Sequence, residues 1–163
     1  MSGALRVMPV ADGLVLQLSG RCSVREAAAL SAFVEAEGDA LATARIRCDL
    51  SACTYLDSTM LGALIGLHQR LAGRFALVAP HDAARESLQS TQLIRLFAVE
   101  EQAPPATGPA TELDLAALDA DAFGREILAA HRRLAAIGGP QQAAFRAVAE
   151  RMAAEIGEAH DGG

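Results

Sequence analysis

The segment Asp57-Ser58-Thr59 combines a carboxylate with two hydroxyls where the sequence changes from one periodicity to another. Before it, apolar and charged residues alternate over residues 45–50, which predicts a strand with one buried face. After it, apolar residues recur every three or four positions over residues 61–71, which predicts an amphipathic helix. A hydroxyl at the start of a helix is exposed, and the free N–H groups there stabilise an added anion. Ser58 is therefore a candidate for phosphorylation, with Thr59 as the second candidate.

The same residues also have a purely structural interpretation. Asp57 or Ser58 can cap the helix by accepting a hydrogen bond from a free N–H group, a contact worth about 1 kcal/mol. A phosphate on Ser58 would instead add about −1.5 to −2 charges at pH 7. Beside Asp57, such a group would repel an acidic partner and block an apolar one. The pattern alone leaves both interpretations open.

The remaining residues give little support for catalysis. Asp49 and Asp57 flank a predicted polar turn at 51–55, but no His or Lys beside them completes an acid–base set. Three cysteines at irregular spacing form neither a disulfide framework nor a metal box. The histidines are spread over separate elements: His68, His81, His131 and His160. The sequence therefore predicts a protein that is not an enzyme and that has no cofactor and no metal site.

The composition excludes several classes of partner. Hydrophobic residues make up 52% of the 163 residues, which is enough for a core, whereas aromatic residues are only 4% and Trp is absent. Few aromatics disfavour a stacking surface for nucleic acid, and a net charge of −6 gives no attraction to DNA or anionic lipid. No apolar run approaches the ~20 residues of a membrane span, and the N-terminus does not resemble a secretory signal. We expect a cytoplasmic protein without nucleic acid and without membrane insertion.

The periodicities and turn residues predict the element order β-β-α-β-α-β-α-β. Ser23 and Glu26 have capping-box spacing at the start of the first helix, which ends near Glu37. This order predicts an α/β fold, a mixed β-sheet with helices packed on one face. Charges at alternate positions of the central strand predict that the other face is partly exposed to water. The predicted elements are strands 4–9 and 13–19, helix 24–37, strand 45–50, helix 58–71, strand 74–79, helix 81–88, helical turn 92–96 and strand 97–99.

The chain divides into three parts. Residues 1–100 form the α/β domain, residues 101–112 form a Pro-rich linker, and residues 113–163 form a helical hairpin with an apolar seam. Two short helices rarely bury enough surface to be stable alone. The hairpin therefore packs on the first domain, on a second copy in a homodimer, or on a partner. The apolar seam is compatible with all three arrangements.

The central segment resembles the signature of the STAS domain, the fold of anti-anti-sigma factors. In that family, a strand ending in Asp-Leu-Ser is followed by a short loop and then by Asp-Ser-Ser-Gly-Leu-Gly. Over residues 4–99 this chain is similar to the family, with Met60 in place of a glycine and Ser23 in place of an aspartate. The matching residues are Asp49-Leu50-Ser51 and Asp57-Ser58-Thr59-Met60-Leu61-Gly62.

The resemblance implies a STAS-like sheet and a role as an anti-sigma factor antagonist in the control of bacterial transcription. It implies two partners, an anti-sigma serine kinase that phosphorylates Ser58 and a serine phosphatase that reverses the modification. Thr59 stands at the second serine of the family pattern. We expect Leu61 in the core and Met60 at the surface, where it either alters the choice of partner or marks a member that is not phosphorylated. The implied partner-binding residues are Asp57, Ser58, Thr59, Met60 and Leu61.

Two other roles fit the same family. STAS domains also serve as cytoplasmic accessory subunits of ABC transporters in phospholipid trafficking, and those members often have Asp-Thr where this chain has Asp57-Ser58. The serine therefore favours the switch. In a third role, the chain is a scaffold subunit of a large signalling complex, and the hairpin assembles its copies.

Overall fold

The fold is built on a mixed sheet with five helices, in a computed structural model that describes residues 3–80, 82–115, 118–139 and 141–161, the last four of these by backbone alone. His81 and the side chain of His160 therefore lie outside the described residues. The strands are β1 Ala4–Val10, β2 Gly13–Cys22, β3 Arg45–Leu56, β4 Phe75–Val78, β5 Ala98–Glu100 and β6 Thr111–Glu112. The helices are α1 Val24–Ala36, α2 Ser58–Leu71, α3 Asp82–Ser90, α4 Ala120–Ile137 and α5 Gln142–Asp161, with a 3-10 turn at Leu93–Leu96.

The sheet has the order β5-β4-β3-β2-β1-β6. β1 pairs antiparallel with β2 and with β6, whereas β2, β3, β4 and β5 are successive parallel neighbours. Parallel pairs need crossover connections, and α1, α2 and α3 lie in those connections. The predicted element order and the mixed sheet are confirmed.

One face of the sheet carries the core. Alternate strand residues such as Leu16, Ile46 and Leu77 are fully buried and join the buried side chains of α1, α2 and α3 in one cluster. Helix α1 begins as predicted, because the carboxylate of Glu26 accepts a hydrogen bond from the Ser23 N–H at 2.9 Å. Core burial on this single face explains why the helices lie there.

The opposite face is partly exposed, as predicted, but Arg47 on it is only 6% exposed. Its guanidinium donates to both carboxylate oxygens of Asp12 at 2.8 and 3.0 Å and to Glu100 at 2.7 Å. A charge can be buried when it is paired and hydrogen-bonded in this way. The contact joins the β1–β2 turn to β3 and β5.

The prediction of a polar turn at residues 51–55 is wrong, because β3 continues through this segment to Leu56. The extension pairs with the end of β2, whose register shifts between Gln17 and Ser19 and again between Gly20 and Arg21. Gly20 has a φ of 70°, a conformation that residues with a Cβ rarely adopt. The irregular pairing at this glycine lets both strands run on together toward α2.

Part of the segment predicted as a linker lies against β1. Thr111 and Glu112 pair with Val7 and Arg6, and Val10 forms an isolated bridge with Ala106. Within the described residues, no helix is both long and apolar enough to cross a membrane.

Candidate partner-binding site

The N-terminus of α2 is fixed by Asp57. Its carboxylate accepts a hydrogen bond from the Met60 N–H at 2.8 Å, and its own N–H donates to the Cys22 carbonyl at 3.3 Å. The first contact caps the helix and the second ties the cap to the end of β2. Burial raises the pKa of Asp57, and the hydrogen bond from the Met60 N–H opposes that rise.

Ser58 is the first residue of α2, and it is half-buried. Its hydroxyl oxygen lies 2.8 Å from Nε2 of His131, and Nδ1 of the same ring lies 2.7 Å from the Ile127 carbonyl oxygen. A carbonyl only accepts, so Nδ1 carries a proton, and in the neutral ring Nε2 is then the acceptor. The Ser58 hydroxyl therefore donates to His131.

His131 is not among the functional residues expected from the sequence. A local sign exists, because His131 follows Ile127 by four positions and precedes Leu134 by three, which places it on one face of α4 with them. His131 is 4% exposed and its ring meets the edge of Phe145 at a centroid distance of 6.1 Å. Only the tertiary structure shows that this face meets Ser58.

Helix α4 lies directly against one face of α2. We call this the α4-contact face, formed by Ser58, Gly62 and Gly66 at four-residue spacing. A Cβ at Gly62 would lie 2.5 Å from the backbone of Ala130, and a Cβ at Gly66 would lie 2.7 Å from the Arg133 guanidinium. The contact with the Ala130 backbone requires glycine at position 62, whereas the Arg133 guanidinium is the end of a flexible side chain and can move. The close approach of α4 therefore depends on Gly62.

The expected exposure of Met60 is wrong, since this side chain is fully buried. Met60 shares a helical stripe with Leu64, Leu67 and Leu71, at spacings of four and three residues, and all four face the core. Thr59 is 4% exposed and Leu61 is also 4% exposed, which confirms Leu61 as a core residue. Of the predicted partner-binding residues, Asp57 and Ser58 alone are partly exposed.

The arrangement offers little for catalysis. Asp49 and Asp57 are separated by the second half of β3, so their carboxylates lie about 20 Å or more apart and form no acid–base pair. Ser58 and His131 have the spacing of a nucleophile and a base, but His131 is buried between α2 and Phe145 and is not open to a substrate. Among the described residues, no three His, Cys, Asp or Glu side chains converge to hold a metal ion.

His68 and the three cysteines are also partly or fully buried. His68 is partly buried, and its ring lies edge-on to Phe97 at 5.5 Å. Cys22, Cys48 and Cys53 are free thiols in the interior, and burial raises the pKa of Cys48. Neither feature adds to the site at the start of α2.

The comparisons with known proteins agree with this geometry. The family model of the STAS domain matches residues 6–104, which are 99 of the 163 residues. The chain belongs to the STAS domain family. The match contains β3, the N-terminus of α2 and Ser58, and it ends before α4.

Two crystal structures are similar to the STAS domain of this chain. One is a Thermotoga maritima protein described as an anti-sigma factor antagonist, 22% identical with a TM-score of 0.52, covering 59% of this chain and 85% of the other. The second is an anti-sigma factor antagonist from Mycobacterium paratuberculosis, 26% identical with a TM-score of 0.51, covering 62% of this chain and 87% of the other. A comparison with curated proteins gives no match.

Proposed function

We propose that this chain is a non-catalytic regulatory binding protein, an anti-sigma factor antagonist controlled by phosphorylation of Ser58. The observation that carries the proposal is the position of Ser58 as the first residue of α2, where the residue is half-buried and not fully enclosed. Thr59, the second candidate, is 4% exposed and less accessible to a kinase. The two similar crystal structures, both described as antagonists of anti-sigma factors, support the class of partner.

The switch acts through charge at a helix end. A serine kinase transfers the γ-phosphoryl group of ATP to the Ser58 oxygen, the bond to ADP breaks, and the hydroxyl proton leaves to a base. The positive end of the α2 dipole favours the new anion, although Asp57 already occupies the Met60 N–H. The carboxylate of Asp57 lies beside it, so the phosphate makes this surface strongly acidic. An anti-sigma factor that fits the neutral hydroxyl is then repelled, and a serine phosphatase restores binding.

Purified anti-sigma factor kinases from the source organism provide the test. We expect one of them to bind the wild type and Ser58→Ala with similar Kd, and to bind Ser58→Glu at least about tenfold more weakly. Incubation with ATP adds one phosphate to the wild type and none to Ser58→Ala. Ser51→Glu is the matched control, since Ser51 is an exposed serine on β3 and the same charge there leaves Kd unchanged. Equal Kd values for Ser58→Glu and the wild type would refute the switch.

A further inference from the structure

The hairpin formed by α4 and α5 covers the surface on which the proposed switch depends. The α4-contact face of α2 begins with Ser58 itself and continues through Gly62 and Gly66. We propose that the hairpin is an intramolecular competitor of the external partner. In this proposal, which rests on the proposed function, α4 occupies the face of α2 that an anti-sigma factor uses, and the partner binds after α4 has left it.

Polar contacts help to hold α4 in place. Ser58 donates to His131, and the Ser31 hydroxyl of α1 donates to Glu126 at 2.8 Å. The Arg133 guanidinium reaches the Gly62 carbonyl oxygen at 3.5 Å, a long contact. When α4 leaves, water can replace each of these hydrogen bonds, so they add little net stability. They specify where α4 lies without making its departure prohibitive.

The apolar contacts of the hairpin are few beside those of the domain: Leu134 and Phe145 join the core cluster, and Ala135 and Ile137 pack against it. Among the described residues of α4 and α5, the buried apolar side chains are Ala130, Leu134, Phe145 and Ala149. Two of these four are alanines, whereas the sheet and α1 to α3 bury most of the large apolar side chains of the chain. Interfaces of this kind within one chain allow relative movement of the parts.

The segment before α4 keeps the hairpin close after it leaves. The Leu113 N–H donates to the Leu5 carbonyl at 2.9 Å, and β6 pairs with β1 immediately before it. Only residues 114–119 separate this attachment from the start of α4. A short tether gives α4 a high effective concentration at α2, so it competes with a partner in solution although its own contacts are weak.

The same contacts hinder modification of Ser58. Its hydroxyl proton points to Nε2 of His131, 2.8 Å away, and His131 is itself buried between α2 and Phe145. A kinase must place a phosphoryl group in line with the Ser58 oxygen, and the phosphate needs space that the imidazole now borders. Departure of α4 frees the hydroxyl for both the kinase and the anti-sigma factor.

Hydrogen–deuterium exchange of the full chain tests whether α4 can leave α2. In Ala130→Glu, a carboxylate replaces a fully buried methyl group that faces Gly62. We expect the amides of α4 to exchange about tenfold faster or more, while those of β3 and β4 keep their protection. Ala136→Glu is the matched control, because Ala136 is exposed on the same helix. Unchanged exchange of α4 in Ala130→Glu would overturn the proposal.

A second pair of variants makes the same test from the side of α2. Gly62→Ala adds a methyl group where Ala130 already lies, and it should also release α4. Gly124→Ala makes the same change on α4 where no atom lies within 4 Å, and because Ala favours a helix more than Gly, its exchange should be no faster than that of the wild type. These variants decide the test if Ala130→Glu lowers the yield of folded protein.

Binding to the same purified anti-sigma factors completes the test, since Ala130→Glu leaves α2 unaltered. We expect a Kd at least about tenfold lower for Ala130→Glu than for the wild type and Ala136→Glu. If α4 is released and the wild type binds just as tightly, competition is wrong while the proposed function stands. If no anti-sigma factor binds any of these variants, the proposed function fails and the competition fails with it.

Discussion

The hydroxyl oxygen of Ser58 and Nε2 of His131 lie 2.8 Å apart, although 73 positions separate the two residues in the chain. Ser58 begins the helix that follows the central strand of the STAS domain, and His131 lies in the middle of α4, outside the matched region. The hydrogen bond therefore connects the family's own helix to a segment that this chain adds.

Replacement of His131 should weaken the attachment of the hairpin. His131→Ala removes the hydrogen bond to Ser58 and the ring contact with Phe145, so we expect the free energy of unfolding to fall by about 2 kcal/mol. Urea unfolding followed by circular dichroism measures the change. Arg132→Ala, at the exposed neighbouring position, should stay within about 0.5 kcal/mol of the wild type. An equal loss of unfolding free energy in both variants would show that the contacts of His131 add no stability beyond that of an exposed neighbour.

Loss of the cap of α2 should destabilise a larger part of the molecule than loss of the cap of α4. Asp57 and Asp119 each accept a hydrogen bond from a backbone N–H at 2.8 Å, the first at α2 and the second at α4. Each change to Ala should cost about 1 kcal/mol of local helix stability. Asp57→Ala should lower the unfolding midpoint of the whole domain, because α2 is part of the core. Asp119→Ala should speed amide exchange in the first turn of α4 alone. If both variants speeded amide exchange in the sheet equally, this expectation would be wrong.

The stability of the hairpin should depend on pH through Glu126. Burial raises the pKa of Glu126, against the opposing effects of the Ser31 hydrogen bond and the nearby Arg133. A carboxyl with a raised folded pKa binds its proton more tightly in the folded state, so its contribution to stability falls as pH increases from about 4 upward.

Glu126→Gln removes this titration and keeps an oxygen for Ser31. We expect its urea midpoint to decline less than that of the wild type as pH increases from about 4 toward neutrality. Glu150→Gln at an exposed position of α5 serves as the control, and its urea midpoint should change with pH as that of the wild type does. If the urea midpoint of Glu126→Gln changed with pH as steeply as that of the wild type, the Glu126 carboxyl would not contribute to the pH dependence of stability.

The buried guanidinium of Arg47 should matter far more than that of its neighbour on the same strand. Arg47→Ala leaves Asp12 and Glu100 without their shared cation, and we expect a loss of about 2 kcal/mol, since both carboxylates can still reach water. Arg45 lies 3.8 Å from Glu100 and is more exposed, so Arg45→Ala should cost less than about 1 kcal/mol. Thermal unfolding at neutral pH measures both, and similar losses would argue against a buried ion pair.

Much of the fold could be predicted from the sequence, because its determinants are local. Alternation over residues 45–50 and the three-to-four spacing after Ser58 are properties of a single strand and a single helix. The error at 51–55 was also local, since Thr54 and Tyr55 favour strands and were outweighed by the small polar residues around them. The prediction of Ser58 at a helix start needed no tertiary information.

Two features of the site differ from the sequence-based expectations, and only the second depends on packing. The spacing of Met60 from Leu64 and Leu67 already places it on the buried stripe of α2, so its expected exposure was an error in assigning the helix face. His131 meets Ser58 only because α4 packs on α2, and the apolar seam of the hairpin is compatible with several ways of packing. No local pattern distinguishes these ways of packing the hairpin.

The attachment of β6 has a consequence for the behaviour of the protein in concentrated solution. Without it, β1 would be the long outer strand of the sheet, with a row of unsatisfied backbone groups along Ala4–Val10. Such a row is a template on which another chain can pair, and it promotes aggregation. The pairing of Thr111 and Glu112, together with the bridge at Ala106, occupies part of that row. The short segment that tethers the hairpin thus also helps to keep the molecules from associating edge to edge.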